Sequence, residues 1–293
     1  MKGIPRRVLF GLATSERFEH VVRAAPGGET LAYRLASRYV AGTTADDALA
    51  TARRLGSQGV LSSIDYFGEN VTDPTEADRV ADAYVALASR LQADAPAATY
   101  LSIDLSHVGI DESGDGPRRR LERIAAALPA ATRIQVGAEQ VARTDRILEA
   151  VLAVARGGGP VSATVQANLR RSRADAERLA DAGVPIRLVK GAYVETPALA
   201  RAWGDETDLA FIELAYALHR AGATVLLGTH DPVIREALVP ALGDAGVEML
   251  LGVRSADLGP LVARGVPVRV YVPYGERWFR YAMRRAAESR GAD

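Results

Sequence analysis

The chain has no cysteine, which removes disulfides, thiolate metal sites and a thiol nucleophile together and fits a reducing compartment. Excess charge of either sign is also missing, since 36 Lys and Arg balance 36 Asp and Glu for a formal net charge of +0. No polycationic block offers a track for nucleic acid. The longest basic run, Arg118-Arg119-Arg120, reads as a solvated helix face. Long apolar runs are lacking: none approaches the ~20 residues of a membrane span, and Val8 to Ala13 behind Arg6-Arg7 is too short for a signal segment with its cleavage site. The expected location is cytoplasmic. The four histidines, His20, His107, His219 and His230, show no paired ligand spacing, and the carboxylates are scattered, so no metal is expected.

What the chain does have is alternation. At 293 residues it exceeds an ordinary domain, yet α/β barrels of roughly 250 residues form one unit. Residues 1–59 read as an N-terminal helical segment packed on a barrel of residues 60–293. Glu29 to Val40 carries Leu31, Leu35 and Val40 in helical order, and a second helix begins near Thr44-Ala45-Asp46-Asp47. From Val60 onward, short β-branched runs alternate with alanine-rich amphipathic segments. Strands are expected at Val60–Asp65, Tyr100–Leu105, Arg133–Ala138, Val161–Ala167, Ile186–Lys190, Thr224–His230, Val247–Gly252 and Val268–Pro273. Eight such units, starting about 21 to 40 residues apart, suit a closed parallel (βα)8 TIM-like barrel, with a doubly wound sheet as the alternative. No G-x-G-x-x-G follows the first strand, so a Rossmann dinucleotide site has no support, and Gly157-Gly158-Gly159-Pro160 reads as a turn.

In such a barrel, chemistry gathers at the strand ends. Asp65 and Glu69, Asp104 and His107, Glu139, Gln166 and Asn168, Arg187 and Lys190, and Thr229-His230-Asp231 all fall there. Each strand must end in water, so any one of them alone has a structural reading. The densest stretch is Arg187-Leu188-Val189-Lys190-Gly191-Ala192-Tyr193. Its lysine stands beside a glycine whose backbone a phosphate or polar cofactor atom can approach, and a solvated cation pair is the plainer reading. On the last helix Tyr281, Arg284, Arg285 and Glu288 share one face beside Trp278. Two guanidinium forks there suit a substrate carboxylate, with Glu288 holding one of them; an exposed Arg284–Glu288 pair is the alternative. That helix would cap the barrel mouth.

These stretches, with Tyr271-Val272-Pro273-Tyr274-Gly275, Phe67-Gly68-Glu69, Val165-Gln166-Ala167, Thr229-His230 and Leu251-Gly252, closely resemble the proline dehydrogenase family. The resemblance covers most of the chain. It implies an FAD-dependent barrel that oxidises L-proline to Δ1-pyrroline-5-carboxylate and passes electrons to a quinone or other acceptor, with transient contact at the inner membrane face. By position, it implies that Ala138, Gln166, Lys190, Gly191, Ala192, Thr229 and His230 bind FAD. Arg187 would lie at the flavin ring as the catalytic cation, stabilising the negative charge that arrives with a hydride. Arg284 and Arg285 would clamp the substrate carboxylate, supported by Glu288, while Tyr271 and Tyr281 wall the ring.

Two positions depart from the family. Its strand-two lysine is replaced by Asp104, and the acid ending strand three by Gly137. Asp104 therefore needs either a protein cation such as Arg284 or Arg285, or a positive or hydrogen-donating group on the substrate. The second branch predicts weak reduction by L-proline. The departures leave three alternatives: a flavoprotein acting on a different amine, a non-catalytic FAD-binding protein, or a Schiff-base lyase using Lys190 with its pKa lowered by Arg187.

Overall fold

A computed structural model describes residues 16–96 and 98–289, with side chains outside that description at 16–18, 35 and 286–289. Three helices, α1 (Glu16–Ala24), α2 (Gly28–Ala36) and α3 (Ala45–Gly56), precede the first strand. Then come β1 (Leu61–Tyr66), α4 (Pro74–Asp94), β2 (Tyr100–Ile103), α5 (Gly116–Ala126), β3 (Ile134–Val136), α6 (Thr144–Arg156), β4 (Val161–Gln166) and α7 (Ser172–Asp181). The chain continues through β5 (Ile186–Val189), α8 (Asp205–Arg220), β6 (Val225–Gly228), α9 (Pro232–Leu242), β7 (Gly246–Leu250), α10 (Leu258–Ala263), β8 (Val268–Tyr274) and α11 (Trp278–Ser289). The strands close in sequence order into a barrel, and every neighbouring pair, including β1 with β8, is parallel. All eight expected strands are present, six of them shorter than their expected runs.

Local chemistry starts the helices where the sequence marks them. Thr44 and Asp47 form a reciprocal capping box at α3, and Asp73 and Asp231 cap α4 and α9 ahead of Pro74 and Pro232. Two expectations fail. Leu31 faces solvent at 62% exposure, because α2 turns Ala32 and Ala36 inward instead. Arg120 is buried at 5%, where it donates to Asp78 (2.7 Å), Glu112 (2.5 Å) and the carbonyls of Val108 and Pro74. Only full pairing makes such a burial tolerable.

The ends of the chain exchange the usual positions. Helix α3 packs outside β1 and β8, with Ala48, Leu49, Ala52 and Leu55 in the main core cluster. A fully buried leucine contributes about 1.5–3 kcal/mol. That seat, between the last strand and the first, is where the helix after β8 would otherwise lie. Instead α11 packs on α2 in a second cluster, in which Trp278, Phe279 and Ala282 meet Ala32, Ala36, Tyr39, Phe67 and Val253. Since Phe67 and Val253 lie just past β1 and β7, α11 covers the C-terminal mouth, as expected from its sequence.

Candidate active site

The barrel interior below the mouth is polar. Gln135, Arg187 and Glu248 come from β3, β5 and β7, alternate strands whose inward side chains share a layer. Glu248 accepts from Arg187 at 2.5 Å and from the Gln135 amide at 2.9 and 3.0 Å. Arg187 Nε donates to Thr164 Oγ1 at 3.0 Å, its register neighbour on β4. Burial opposes the charge on Arg187, yet Glu248, with help from Tyr271 and Asp104, holds its pKa above the ordinary value. The guanidinium is thus a fixed cation near the barrel axis. Glu248 and Gln135 carry no mark in the sequence beyond being polar residues within apolar strands, and sequence reasoning passed over both.

Above this layer stand two carboxyl groups, Asp65 buried and Asp104 half-buried. Asp65 at the end of β1 accepts from the Tyr271 hydroxyl at 2.7 Å; burial pushes its pKa up to about 7, against the pull of Tyr271 and Arg187. Asp104, just past β2, is raised well above the carboxylate range by burial and by Asp65 and Glu139, with Arg187 the cation acting against them. Neutralisation by Arg284 or Arg285 is one expected route, and Arg187 is the cation that acts on Asp104 most strongly. Glu139 accepts from the Ser106 amide at 2.8 Å and from Arg143 at 2.9 Å, which ties the β2 and β3 loops together.

The α11 side chains lie over this group. Tyr281 packs against Phe67 and Tyr271 at ring separations of 5.1 and 6.1 Å, and Arg285 lies 5.3 Å from the Tyr281 ring centroid. The Arg284 Nε is buried without a hydrogen bond. The Glu288 side chain lies outside the described residues. Tyr193, quoted in the β5 motif without a role, feels Asp104, Glu139, Glu69 and Arg284, and burial raises its pKa.

The expected cofactor residues form a second group over β4 to β6. The Gln166 amide donates to the Glu139 carbonyl at 2.9 Å and its oxygen accepts from the Ala192 N–H at 3.4 Å. Ala138 is half-buried beside Glu139. Gly191 has φ +117, and a β-carbon there would lie 2.1 Å from Asn168 Oδ1, an atom buried without a hydrogen bond. Thr229 accepts from the Asp231 amide at 3.1 Å. His230 Nε2 accepts from the Leu250 N–H at 2.8 Å, so the neutral ring carries its proton on Nδ1; burial and Arg285 lower its pKa to about 4. Lys190 bridges Asp208 (2.6 Å) and Asp231 (2.9 Å). Those carboxylates raise its pKa despite burial, the opposite of the lowering by Arg187 that a Schiff-base role requires.

The proline dehydrogenase family model matches residues 48–293. The chain is 32% identical over 266 residues to proline dehydrogenase 1 of Bacillus subtilis subsp. natto, covering 86% of each chain. It is 33% identical over 270 residues to the proline dehydrogenase of Deinococcus radiodurans, covering 88% of this chain and 87% of that one. Proline utilization A from Bdellovibrio bacteriovorus, inactivated by N-propargylglycine, superposes on 97% of this chain with a TM-score of 0.78 at 18% identity. The corresponding protein of Corynebacterium freiburgense gives 0.71 at 18% identity. This chain spans 39% and 34% of those two longer chains, and at such identity they establish a shared fold alone. With its closed parallel barrel, its capping helix and a family match running from within α3 through α11, the chain belongs to the proline dehydrogenase family.

Proposed function

We propose that this protein is an FAD-dependent oxidoreductase that oxidises L-proline to Δ1-pyrroline-5-carboxylate. The observation that carries the reading is the Arg187 guanidinium, fixed by Glu248 and Thr164 beneath a mouth lined by Asp65, Tyr271, Tyr281 and the α11 arginines. Two features fit a flavin. The Gly191 backbone is bare and shaped as only glycine readily allows, and the buried Asn168 Oδ1 beside it has a lone pair to spare. FAD supplies the two-electron oxidant. Gln166, Lys190, Gly191, Ala192, Thr229 and His230, with Ala138, would hold it, Lys190 being shared with Asp208 and Asp231.

The chain's own groups do the rest. Arg187 is a pre-oriented cation that needs no rearrangement when negative charge develops beside it, and the low-dielectric interior strengthens its effect. Arg284 and Arg285 grip the substrate carboxylate as paired forks, while Tyr271 and Tyr281 exclude water and fix the ring. A quinone or similar acceptor would take the electrons, and contact with the inner membrane face would be transient; no helix among the described residues is long and apolar enough to cross a membrane. Nothing in the site favours a Schiff-base lyase, a non-catalytic flavin carrier or a flavoprotein for an unrelated amine. Purification of a yellow protein that releases FAD on denaturation, and whose flavin bleaches anaerobically with L-proline, is the expected result. A colourless protein that takes up no FAD overturns the reading.

A further inference from the structure

Gly137 has no backbone reason to be glycine, because its φ is not among the left-handed values this chain adopts. It has a steric reason. A β-carbon there would lie 1.8 Å from Asp104 Oδ1, far inside contact distance, so the Asp104 carboxyl group fills the volume that a side chain on β3 would occupy. The two positions act as one unit across the β2–β3 seam, where Ile103 pairs with Val136. The Asp104 backbone carbonyl accepts from the His107 N–H at 2.9 Å, but its carboxyl group has acidic neighbours, Asp65, Glu69 and Glu139, that repel its charge, and Arg187, which acts against them, is already bound to Glu248. A half-buried carboxyl group crowded by other acids takes up either a proton or a cationic ligand.

We propose that Asp104 is the substrate-selecting residue of this site, its carboxyl group receiving the nitrogen of the bound amine while Arg284 and Arg285 receive the carboxylate. The proposal rests on the function proposed above and specifies the substrate class: a zwitterionic cyclic or secondary amine, oriented with its ammonium side toward β2–β3 and its carboxylate toward α11. A cationic pole at β2 would select carboxylates twice over, whereas this site reads both ends of the ligand. It should therefore bind an amine that has no carboxylate.

The test uses two rings that each keep one pole: pyrrolidinium, with nitrogen and no carboxylate, and cyclopentanecarboxylate, with carboxylate and no nitrogen. Titrations of the holoenzyme, read by flavin absorbance and by calorimetry, should show pyrrolidinium binding in competition with L-proline. Asp104→Asn, which keeps the shape, should weaken pyrrolidinium by about tenfold or more, the range for losing a charge-assisted hydrogen bond, and should leave cyclopentanecarboxylate unchanged or tighter. Gly137→Ala, which forces the carboxyl group to move, should change each ligand in the same direction as Asp104→Asn does. Failure of the wild-type protein to bind pyrrolidinium, or an unchanged affinity in Asp104→Asn, overturns the inference. If the flavin is nonetheless reduced by L-proline, the proposed function stands without it. A colourless protein overturns the proposed function, and calorimetric loss of pyrrolidinium binding in Asp104→Asn would then still support the selecting role.

Discussion

Arg187 on β5 and Glu248 on β7 meet across the barrel interior in a 2.5 Å ion pair, and Gln135 on β3 holds the same carboxylate from another side. The pair therefore has two separable duties: the arginine offers charge toward the mouth, and the glutamate keeps that charge soluble in a dry interior.

Arg187→Met should slow flavin reduction roughly 10²-fold and strand a buried carboxylate at a cost of about 3–5 kcal/mol. Adding Glu248→Gln should recover most of the stability and none of the rate. Stopped-flow reduction by L-proline and denaturant melts measure the two effects separately. Reduction at the wild-type rate in either variant counts against a catalytic role for the guanidinium.

Asp65 gives stability a pH dependence of definite sign. Its pKa is raised from 3.8 to about 7 in the folded protein, so the folded state holds a proton more tightly than the unfolded chain. The associated stability is complete below pH 3.8 and is lost as pH rises through about 7. Asp65→Asn, which cannot ionise, should therefore gain on the wild type between those values, by up to about 4 kcal/mol. Denaturation midpoints that keep a constant difference from pH 4 to pH 8 would exclude this.

Arg285→Lys should weaken cyclopentanecarboxylate by about tenfold, because an ammonium has neither the planar fork nor the guanidinium contact with the Tyr281 ring, 5.3 Å away. A dissociation constant that moves less than twofold would remove Arg285 from the clamp.

Gly191→Ala should expel the cofactor while leaving the barrel intact. Alanine at φ +117 is strained by about 1–3 kcal/mol, and its methyl group would collide with Asn168. The measurement is the FAD to protein absorbance ratio beside the far-ultraviolet circular dichroism. An unchanged ratio would mean that the flavin does not lean on this loop.

The strands were legible because each is a short, largely apolar run bounded by loop residues, a pattern that depends on local sequence alone. The arginines of α11 were legible through helical spacing, and Thr44 through its capping chemistry. The failures share a different cause. Glu248 and Gln135 are separated by 113 residues and become partners only when the barrel closes. Lys190 finds Asp231 across 41 residues, and Arg120 reads as a solvated cation until Asp78 and Glu112 are seen around it. Burial of charge is set by what arrives from elsewhere in the chain. Asp104 lies between these cases: its sequence position flagged a change of charge, while the reason for Gly137 emerged only from the space between two strands.

Because α3 closes the wall between β8 and β1, α11 is released from supporting the sheet, and this separates two kinds of evolutionary freedom. The helix that covers the β8–β1 seam and the helix whose arginines face the ligand are separate elements, over 200 positions apart along the chain. A lineage could rewrite the inspecting face, exchanging a tyrosine or an arginine for a new ligand, without reopening the seam. Substitutions in α11 should accordingly change ligand preference more than melting temperature, and substitutions in α3 the reverse.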